Sequence, residues 1–463
     1  MGMSELPNGW AKACIGDLAD LNPKQALDDE TVAGFVPMSH APTNFRDKLR
    51  FDERPWGEIK KAYTNFKDGD VIFAKVTPCF ENGKAAFVEG LPNGVGAGSS
   101  EFFVLRPSCD GVSAKYLLAL VKSYDFLLGG AENMTGAVGL RRVPKQFVER
   151  YLVPVAPAAE QTRIAAKLDE LLTQVDTLKA RIDGIPALLK RFRQSVLAAA
   201  VSGRLTEEWR AKNGAKIEVE GSAAETSEEF AWPMVRLGDV ALSFSYGSSA
   251  KSQPAGDIPV LRMGNIQGGR LVWDDLVFSS NPEELKKYSL QVGDVLFNRT
   301  NSPELVGKTA TYKGEQPAIY AGYLIRVRCT ERLISDFLNY CLNSPQGKDY
   351  CWQVKTDGVS QSNINAKKLA DFRFGLPSTE EQTEIVRCVD QLFSFAERLE
   401  ARISDARIRI DRLTQSILAK ALRGDLVPQD PNDEPADLLL DRIKAQRAAV
   451  PKNKRGHRST TEG

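Results

Sequence analysis

The chain carries an internal duplication, because its first half recurs in its second half at an offset of 221 to 224 residues. The segment GDVIFAKVTPCFENGKAA, residues 69–86, aligns without gaps on GDVLFNRTNSPELVGKTA, residues 293–310. Farther along, the tripeptide EQT at residues 160–162 returns at residues 381–383. This period is far longer than the about 20 to 50 residues of a solenoid repeat. The chain is therefore a duplicated domain pair with internal pseudo-two-fold character.

Each copy begins with a mixed segment and ends with a helical one. At 463 residues the chain is too long for one compact core, and about 100 to 200 residues per domain suggests two to four units. Short β-branched and aromatic runs alternate with turns rich in Gly, Pro and Asn, which predicts strands of an α+β fold. The predicted strands cover residues 70–73, 101–105, 295–297 and 323–327.

Apolar residues in heptad spacing predict long helices in both copies. The first seam is Ile164, Leu168, Leu171, Val175, Leu178 and Ile182, and its counterpart is Ile385, Val389, Leu392, Ala396, Leu399 and Ile403. A second helix is expected in each copy, at Ile185, Leu189, Phe192, Val196 and Ala199 and at Ala406, Ile410, Leu413, Ile417 and Lys420. Gly203 and Gly424 would end these helices as left-handed C-caps.

The two seams leave two packing arrangements open. Each copy could form a local helical hairpin, but the match between copies favours first-copy helices packing against second-copy helices as paired long antiparallel coiled-coil helices. A helix of about 20 to 25 residues is about 30 to 38 Å long. That length is close to the about 34 Å turn of B-DNA, which suits two domains that touch two separate short sites on one duplex.

The segments outside the copies differ in charge. Residues 206–231, rich in Glu, Ala and Ser, are interpreted as an acidic linker. The last 23 residues carry seven Lys and Arg against two acidic residues, a net charge of +5. We expect disorder there, with weak attraction for phosphate.

Several classes of function are disfavoured. The seven cysteines show no CxxC spacing and are expected to be reduced thiols, and the only histidines are His40 and His457, so histidine triads and multi-histidine metal sites are nearly excluded. No apolar run of about 18 residues and no signal peptide is found, so a cytoplasmic location is expected. An NPPY-type tetrapeptide, a glycine-rich cofactor loop, a phosphate loop and a convincing PD…ExK nuclease arrangement are missing. The chain is thus expected to bind rather than catalyse, although a net charge of +1 requires clustered cations for any nucleic-acid role.

One long stretch carries a family resemblance. AAEQTRIAAKLDELLTQVDTLKARIDGIPALLKRFRQSVLAAAVSGRLTEEWR, residues 158–210, resembles the central conserved region of type I restriction-modification specificity subunits, particularly the enterobacterial type IA family. The opening LPNGW at residues 6–10, the turns VAPAAEQ and GLPSTEEQ, and the endings SGRL and RGDL fit the same pattern.

The resemblance implies a domain order and a set of partners. Target recognition domains would occupy residues 1–155 and 232–376, conserved helical regions residues 156–205 and 377–425, and a C-terminal tail residues 426–463. Each recognition domain would read one half of a bipartite asymmetric site of double-stranded DNA in the major groove. The helices would set the spacer and dock two modification (methyltransferase) subunits that hold S-adenosylmethionine and methylate adenine. Two restriction subunits would supply ATP- and Mg²⁺-dependent translocation and cleavage, leaving no cofactor, metal or catalytic residue in this chain and no membrane partner.

Candidate DNA contacts lie at paired positions of the two copies. A cation follows the same predicted strand in each copy, and further polar residues follow it, which suits contact with phosphate or guanine. These pairs are Lys75 and Arg299, Thr77 and Asn301, and Lys84 and Lys308. The alternative interpretation is ordinary solvated loop charge.

A second pair of segments precedes the helices. GAVGLRRVPK, residues 136–145, aligns with DGVSQSNINAKK, residues 357–368. Arg pairs well with guanine, whereas Asn and Gln pair well with adenine. Two domains that recognise different DNA sequences would need such different side chains at matching positions. The candidates are Arg141, Arg142 and Lys145 in the first copy and Gln361, Ser362 and Asn363 in the second. The alternative is a plain loop before a helix.

Weaker candidates are Tyr246 and Lys251 in the loop SYGSSAKS, and Arg262 and Asn265 in VLRMGNI. Aromatic residues such as Tyr246 are more often core or loop anchors than DNA contacts. Other functions left open are a related bipartite methyltransferase or a IIB/IIG-like system without ATP-dependent cleavage, a protein-only scaffold, and a cryptic nuclease or methyltransferase that acts alone.

Overall fold

The structure is a computed structural model that describes residues 6–137, 139–213, 232–359 and 361–449. The chain divides into two compact units. Unit 1 combines residues 1–183 with residues 404–463, and unit 2 comprises residues 184–403. Each unit therefore contains one mixed segment and one part of each predicted helical region.

Strands and helices are numbered in chain order. Strands β1 to β12 are Ala11–Cys14, Ala19–Leu21, Val32–Val36, Asp52–Pro55, Thr64–Lys67, Val71–Ala74, Ala85–Phe87, Val95–Gly98, Phe102–Pro107, Thr135–Ala137, Leu140–Arg142 and Leu152–Val155. Strands β13 to β26 are Met234–Arg236, Ala241–Tyr246, Ile258–Leu261, Ile266–Gln267, Arg270–Leu271, Val277–Ser279, Val295–Asn298, Thr300–Asn301, Thr309–Thr311, Ile319–Tyr320, Leu324–Cys329, Thr356–Asp357, Ser362–Asn363 and Arg373–Gly375. Helices α1 to α14 are Ile15–Leu18, Trp56–Ile59, Ala114–Val121, Tyr124–Glu132, Lys145–Arg150, Ala158–Val201, Glu207–Asn213, Leu237–Val240, Pro282–Tyr288, Ser335–Asn343, Pro345–Val354, Ala366–Ala370, Thr379–Arg423 and Ala436–Ala449.

The sheets of the two units have matching topology, which confirms the duplicated α+β fold. The order β2-β9-β6-β7 in unit 1 corresponds to β14-β23-β19-β21 in unit 2. In each unit one pair of strands is parallel, β3 with β8 and β15 with β22. The terminal pair β1-β12 likewise corresponds to β13-β26.

All four predicted strands form, with their ends at most two residues from the predicted ones. Asp70, predicted as the first residue of its strand, instead precedes β6 just as Asp294 precedes β19, and both carboxylates pair with arginines. Asp70, fully buried, accepts two hydrogen bonds from Arg106 at 2.8 and 2.7 Å. Asp294 accepts from Arg328 at 2.8 and 3.4 Å. The aspartate of the repeated Gly-Asp motif therefore forms a structural ion pair with an arginine in each copy. Without the arginine, the buried carboxylate would have no partner, which destabilises a fold.

The repeated Glu-Gln motif at the start of each long helix is also structural. The Glu160 carboxylate accepts a hydrogen bond from the Trp10 indole at 3.0 Å, and Glu381 accepts one from Trp232 at 2.9 Å. The following glutamine is buried in both copies and accepts from a backbone N–H, that of Ser113 in unit 1 at 3.0 Å. Burial raises the pKa of the Glu160 carboxyl. These contacts fasten each mixed segment to the helix that follows it.

In unit 1 the long helices pack antiparallel. Leu168 and Leu172 of α6 share one buried cluster with Leu418 and Ala421 of α13. Lys179 pairs with Asp411 at 2.9 Å, and the next turn of α6 pairs with an earlier turn of α13 through Asp183 and Arg407 at 3.4 Å. The pairing of first-copy with second-copy helices is thereby confirmed and the local hairpin is excluded.

Unit 2 repeats the arrangement with the other parts of the same helices. Val196 and Leu197 of α6 lie in one cluster with Ile385 and Val389 of α13. The Arg193 guanidinium donates to both oxygens of Glu400 at 2.7 and 3.0 Å.

The prediction of two helices per copy was wrong, because α6 and α13 are each continuous, over 44 and 45 residues. Pro186 lies inside α6 at an exposed position, where water can satisfy the carbonyl that loses its donor. Gly203 and Gly424 do end the helical regions, with φ of 80° in both cases.

The predicted seams are displaced by one residue at several positions. Leu172 is buried in place of Leu171, and Leu178 is exposed. At the end of α13, Leu418 and Ala421 are buried in place of Ile417 and Lys420. A straight α-helix drifts by about 20° per heptad from a strict 3.5-residue repeat, so a fixed heptad count moves off the buried face.

The expected linker and tail contain ordered helices. Within the linker, α7 is held to unit 2 by Arg210, which donates to the Gly203 carbonyl at 2.6 Å and to the Glu381 carboxylate. Within the tail, α14 buries Leu439 and Ile443 in the core of unit 1. The expectation of disorder from residue 441 was thus wrong for residues 441–449, because α14 packs apolar side chains such as Ile443 into the core of unit 1. The linker from residue 214 to 231 and the tail from residue 450 lie outside the described residues.

Among the residues that the structure describes, no helix combines the length and the apolar character needed to cross a membrane.

Candidate nucleic-acid interface

In unit 1 the two candidate segments lie side by side. The hairpin of β10 and β11 projects next to the residues that leave strand β6. The Val143 N–H donates to the Lys75 carbonyl at 2.8 Å, and the Thr77 N–H donates to the Arg141 carbonyl at 3.0 Å. We call residues 75–77, 135–137 and 140–142 ribbon 1. The sequence predicted the two segments separately, and the fold joins them.

Unit 2 builds the equivalent ribbon. Strands β20, β25 and β24 form a three-stranded sheet, which we call ribbon 2. The Ile364 N–H donates to the Arg299 carbonyl at 2.9 Å, which is the counterpart of the Val143 to Lys75 bond. Because residue 299 aligns with 75 and residue 364 with 143, the two ribbons occupy the same place in the two copies.

The two arginines of ribbon 1 are held by carboxylates. The Arg142 guanidinium donates to both oxygens of Glu101 at 2.9 and 2.8 Å, and 43% of its side chain stays exposed. Hydrogen bonds from Arg142 hold the pKa of the Glu101 carboxyl below its usual range. Arg141 lies 3.4 Å from Glu81 and is also exposed. Ribbon 1 therefore presents two guanidinium groups whose positions are set by fixed partners.

Ribbon 2 presents a different set of groups. The Arg299 guanidinium lies 4.6 Å above the Tyr246 ring and donates to Asn363 Oδ1 at 3.4 Å. The Asp357 carboxylate is exposed and accepts from Lys355 at 2.6 and 2.7 Å, and these hydrogen bonds lower its pKa. Gln361 is exposed beside it. The second copy thus combines one stacked arginine with amide and carboxylate groups.

Some predicted contacts point into the protein. Ser362 is fully buried and donates to Asp357. Asn265, also buried, donates to the carbonyls of Val272 and Asp274 at 3.1 and 3.0 Å. The structure contradicts direct DNA contact by these two side chains, because each is buried and its polar group is hydrogen-bonded within its own domain.

Other candidates bond locally. Lys75 Nζ donates to the Ser100 carbonyl at 2.7 Å, and Lys84 Nζ donates to the Met38 carbonyl at 2.9 Å. Lys308 Nζ donates to Gln267 at 3.2 Å. All three ammonium groups are thus hydrogen-bonded within the protein, and DNA contact by each of these lysines stays a prediction.

Of the remaining candidates, Thr77 belongs to ribbon 1 and Asn301 to ribbon 2, whereas the others lie elsewhere on their units. The Thr77 hydroxyl contacts the Met134 sulfur at 3.4 Å, and Asn301 accepts from the backbone N–H of residue 302 at 2.8 Å. Lys145 pairs with the carboxylate four residues later at 3.0 Å, and Arg262 donates to the carbonyl of residue 275 at 2.6 Å. Lys251 is exposed. The fold does not bring Lys251 or Arg262 onto ribbon 2.

Sequence reasoning missed Glu101, Asp357 and Tyr323. The Glu101 and Tyr323 carbonyls accept equivalent bonds from the N–H groups of Lys75 and Arg299, at 2.9 and 3.0 Å. The sequence marks the pair only weakly, because each residue was predicted simply as the first residue of a strand. No group of three or more His, Cys, Asp or Glu that could hold a metal ion occurs in the described part of the chain.

The structure thus contains two matching domains, each with a ribbon that carries different polar side chains. The family model of the type I restriction modification DNA specificity domain matches residues 7–187 and 230–406. The chain therefore belongs to the family of type I restriction-modification specificity subunits, which recognise DNA and carry no catalysis themselves.

Two curated relatives span most of the chain. One, the StySPI specificity subunit of a type I restriction enzyme from Salmonella potsdam, is 30% identical over 469 aligned positions, covering 97% of both chains. Another, the EcoKI specificity subunit from Escherichia coli strain K12, is 36% identical over 330 positions, covering 68% of each chain.

Solved structures show the same fold. The HsdS subunit from Thermoanaerobacter tengcongensis superposes with a TM-score of 0.60 at 22% identity, covering 92% of this chain and 99% of that one. A chain from a structure on complex assembly and conformational transition of the type I R-M system superposes with a TM-score of 0.64 at 22% identity, covering 91% and 100%.

Proposed function

We propose that each unit reads one half of a bipartite, asymmetric DNA site in the major groove, and that its ribbon makes the base contacts. The observation that carries this proposal is the pair of equivalent ribbons with different side chains. Each ribbon contains a two-stranded antiparallel pair, β10-β11 or β24-β25, and a two-stranded β-ribbon fits the major groove. Guanidinium groups on ribbon 1 favour guanine, whereas the amide and carboxylate groups of ribbon 2 favour adenine or cytosine.

We further propose that the chain acts within a larger complex. Two modification subunits would dock on the paired helices, hold S-adenosylmethionine and methylate adenine. Two restriction subunits would add cleavage that depends on ATP and Mg²⁺. Family membership supports this composition, and the chain's own residues would position DNA rather than carry out chemistry. Its seven unpaired cysteines support a cytoplasmic location for the complex.

A domain exchange tests the assignment of half-sites. Replacing residues 1–155 by the matching segment of another family member should change one half-site and leave the other unchanged. The half-sites are read by sequencing methylated adenine in cells that express the chain with its modification subunits. A change in both halves would contradict the proposal.

The role of the helices as a spacer is tested by insertion. Adding about four residues, one helical turn, near Val175 should lengthen the preferred spacer or abolish binding. An unchanged spacer would show that the helices do not set it. Cleavage by the complete complex, with and without ATP, distinguishes a restriction system from a methylation-only relative.

A further inference from the structure

The Arg299 side chain of ribbon 2 is held differently from the two arginines of ribbon 1. Its guanidinium carbon lies 4.6 Å from the centre of the Tyr246 ring. Within the described part of the chain its guanidinium makes one hydrogen bond, to Asn363 Oδ1, and its Nε is buried without a partner. Each arginine of ribbon 1 instead pairs with a carboxylate. Arg299 therefore keeps a charge that no carboxylate of the described residues neutralises.

Both groups that hold Arg299 are themselves fixed. The Ala366 N–H donates to the Tyr246 hydroxyl at 3.0 Å, at the start of helix α12. Asn363 Nδ2 donates to Thr300 Oγ1 at 2.7 Å, which directs Oδ1 toward Arg299. A guanidinium has five N–H donors, and with one bonded to Asn363 and Nε buried, three are left on the two Nη atoms. Arg299 is half-buried, so its orientation is set before any ligand binds.

Ribbon 1 carries a guanidinium at the same register, supplied by the opposite strand. Val76 pairs with Arg142 across ribbon 1, and Thr300 pairs with Asn363 across ribbon 2. Because residue 76 aligns with residue 300, Asn363 occupies the place of Arg142. The arginine comes from the hairpin in ribbon 1 and from the strand that follows β19 in ribbon 2. The guanidinium is kept while its anchor changes from a carboxylate to an aromatic ring, which points to one kind of recognised group in both half-sites.

We propose that Arg299 reads a guanine in the half-site of unit 2 by donating to O6 and N7, and that Tyr246 and Asn363 are positioning residues for it. This inference rests on the function proposed above and adds a guanine to the bases expected for ribbon 2. Arginine paired with guanine O6 and N7 is the commonest specific contact in the major groove. A phosphate can be bound by a point charge, whereas a stacked planar fork matches two acceptors on one base edge.

Replacing guanine by 7-deazaguanine tests the contact, because it removes the N7 acceptor and leaves pairing with cytosine intact. The full chain, assembled with its modification subunits, is titrated with duplexes in which each guanine of the unit 2 half-site is replaced singly. The domain exchange described above identifies that half-site. The wild-type complex should lose about tenfold in affinity at one guanine, the effect of one lost hydrogen bond from a charged donor.

Variants of the arginine and of its aromatic support separate reading from positioning. Arg299→Met should bind the unmodified site about 5- to 150-fold more weakly and be insensitive to 7-deazaguanine at that position. Tyr246→Leu leaves the arginine but removes the ring, so binding should weaken about 2- to 30-fold and the 7-deazaguanine effect should shrink at that guanine alone. Tyr246→Phe keeps the ring and should retain the full effect. Weaker binding by Tyr246→Leu with an undiminished effect would contradict the positioning role.

Arg236→Met is the matched control, since Arg236 is an exposed arginine of unit 2 outside ribbon 2 that pairs with Asp371, and it should behave as wild type. A unit 2 half-site without guanine, no 7-deazaguanine effect in wild type, or a full effect in Arg299→Met would overturn the inference. So would a uniform loss over all sequences in Arg299→Met with the salt slope reduced by about one, which indicates a phosphate contact. Failure of the wild-type complex to prefer any bipartite sequence would instead overturn the proposed function.

Discussion

The Arg142 guanidinium offers the most direct test of base reading by ribbon 1. A guanidinium has five N–H donors, and Glu101 uses two of them. Three donors are left, which is enough for a bidentate contact with guanine O6 and N7 while the Glu101 pair persists. Such a contact is worth about 1 to 3 kcal/mol of discrimination. We therefore expect Arg142→Met to weaken binding of the correct site about 5- to 150-fold.

The assay is competition binding of the assembled complex at several salt concentrations, with each base pair of the site substituted in turn. Arg142→Met should flatten the preference at one base pair of the unit 1 half-site. Arg142→Lys should lose nearly as much, because an ammonium cannot reproduce the planar fork. Arg442→Met is the matched control, since Arg442 is exposed on α14 and pairs with Glu434 at 2.7 Å.

Two results would refute this reasoning. Binding by Arg142→Met within twofold of wild type would show that the guanidinium makes no important contact. A uniform loss over all sequences, with the salt slope reduced by about one, would indicate a phosphate contact instead.

The remaining predictions concern stability. Asp294→Ala breaks the buried pair with Arg328 and should destabilise unit 2 by about 3 kcal/mol, measured by urea unfolding; an unchanged midpoint would contradict the structural role. Asn265→Ala should cost about 1 to 3 kcal/mol and leave the mapped DNA sequence unchanged, whereas a new half-site would restore Asn265 as a reader. Leu168→Ala should destabilise unit 1 by about 2 to 5 kcal/mol. Burial lowers the pKa of Lys122 to about 7, while the unfolded value is about 10.4. The unfolded chain then binds more protons between these values, so wild type should gain stability relative to Lys122→Met as pH rises from about 7 to 10, and a gap independent of pH would argue against a buried lysine.

Much of the architecture was predictable because it depends on local pattern and on repetition. The recurrence of residues 69–86 at 293–310 identified two copies of one fold, and the heptad spacing identified helices in both. Periodicity reports which face of a helix is apolar but not which helix covers it, and the match between the two copies is what favoured pairing of first-copy with second-copy helices over local hairpins. The continuity of α6 through Pro186 could not, because an exposed proline is tolerated or not according to what surrounds it.

The site divides in the same way. The sequence by itself determined that cations and amides occupy matching positions in two copies, since alignment needs no coordinates. Only the tertiary structure decided which of these side chains are exposed at a ribbon and which are buried. It joined residues 75–77 to the hairpin at residues 135–142, turned Ser362 and Asn265 inward, and paired Arg142 with Glu101, a residue 41 positions away. Contacts between residues distant in sequence depend on the packing of the whole domain, and no local spacing encodes them.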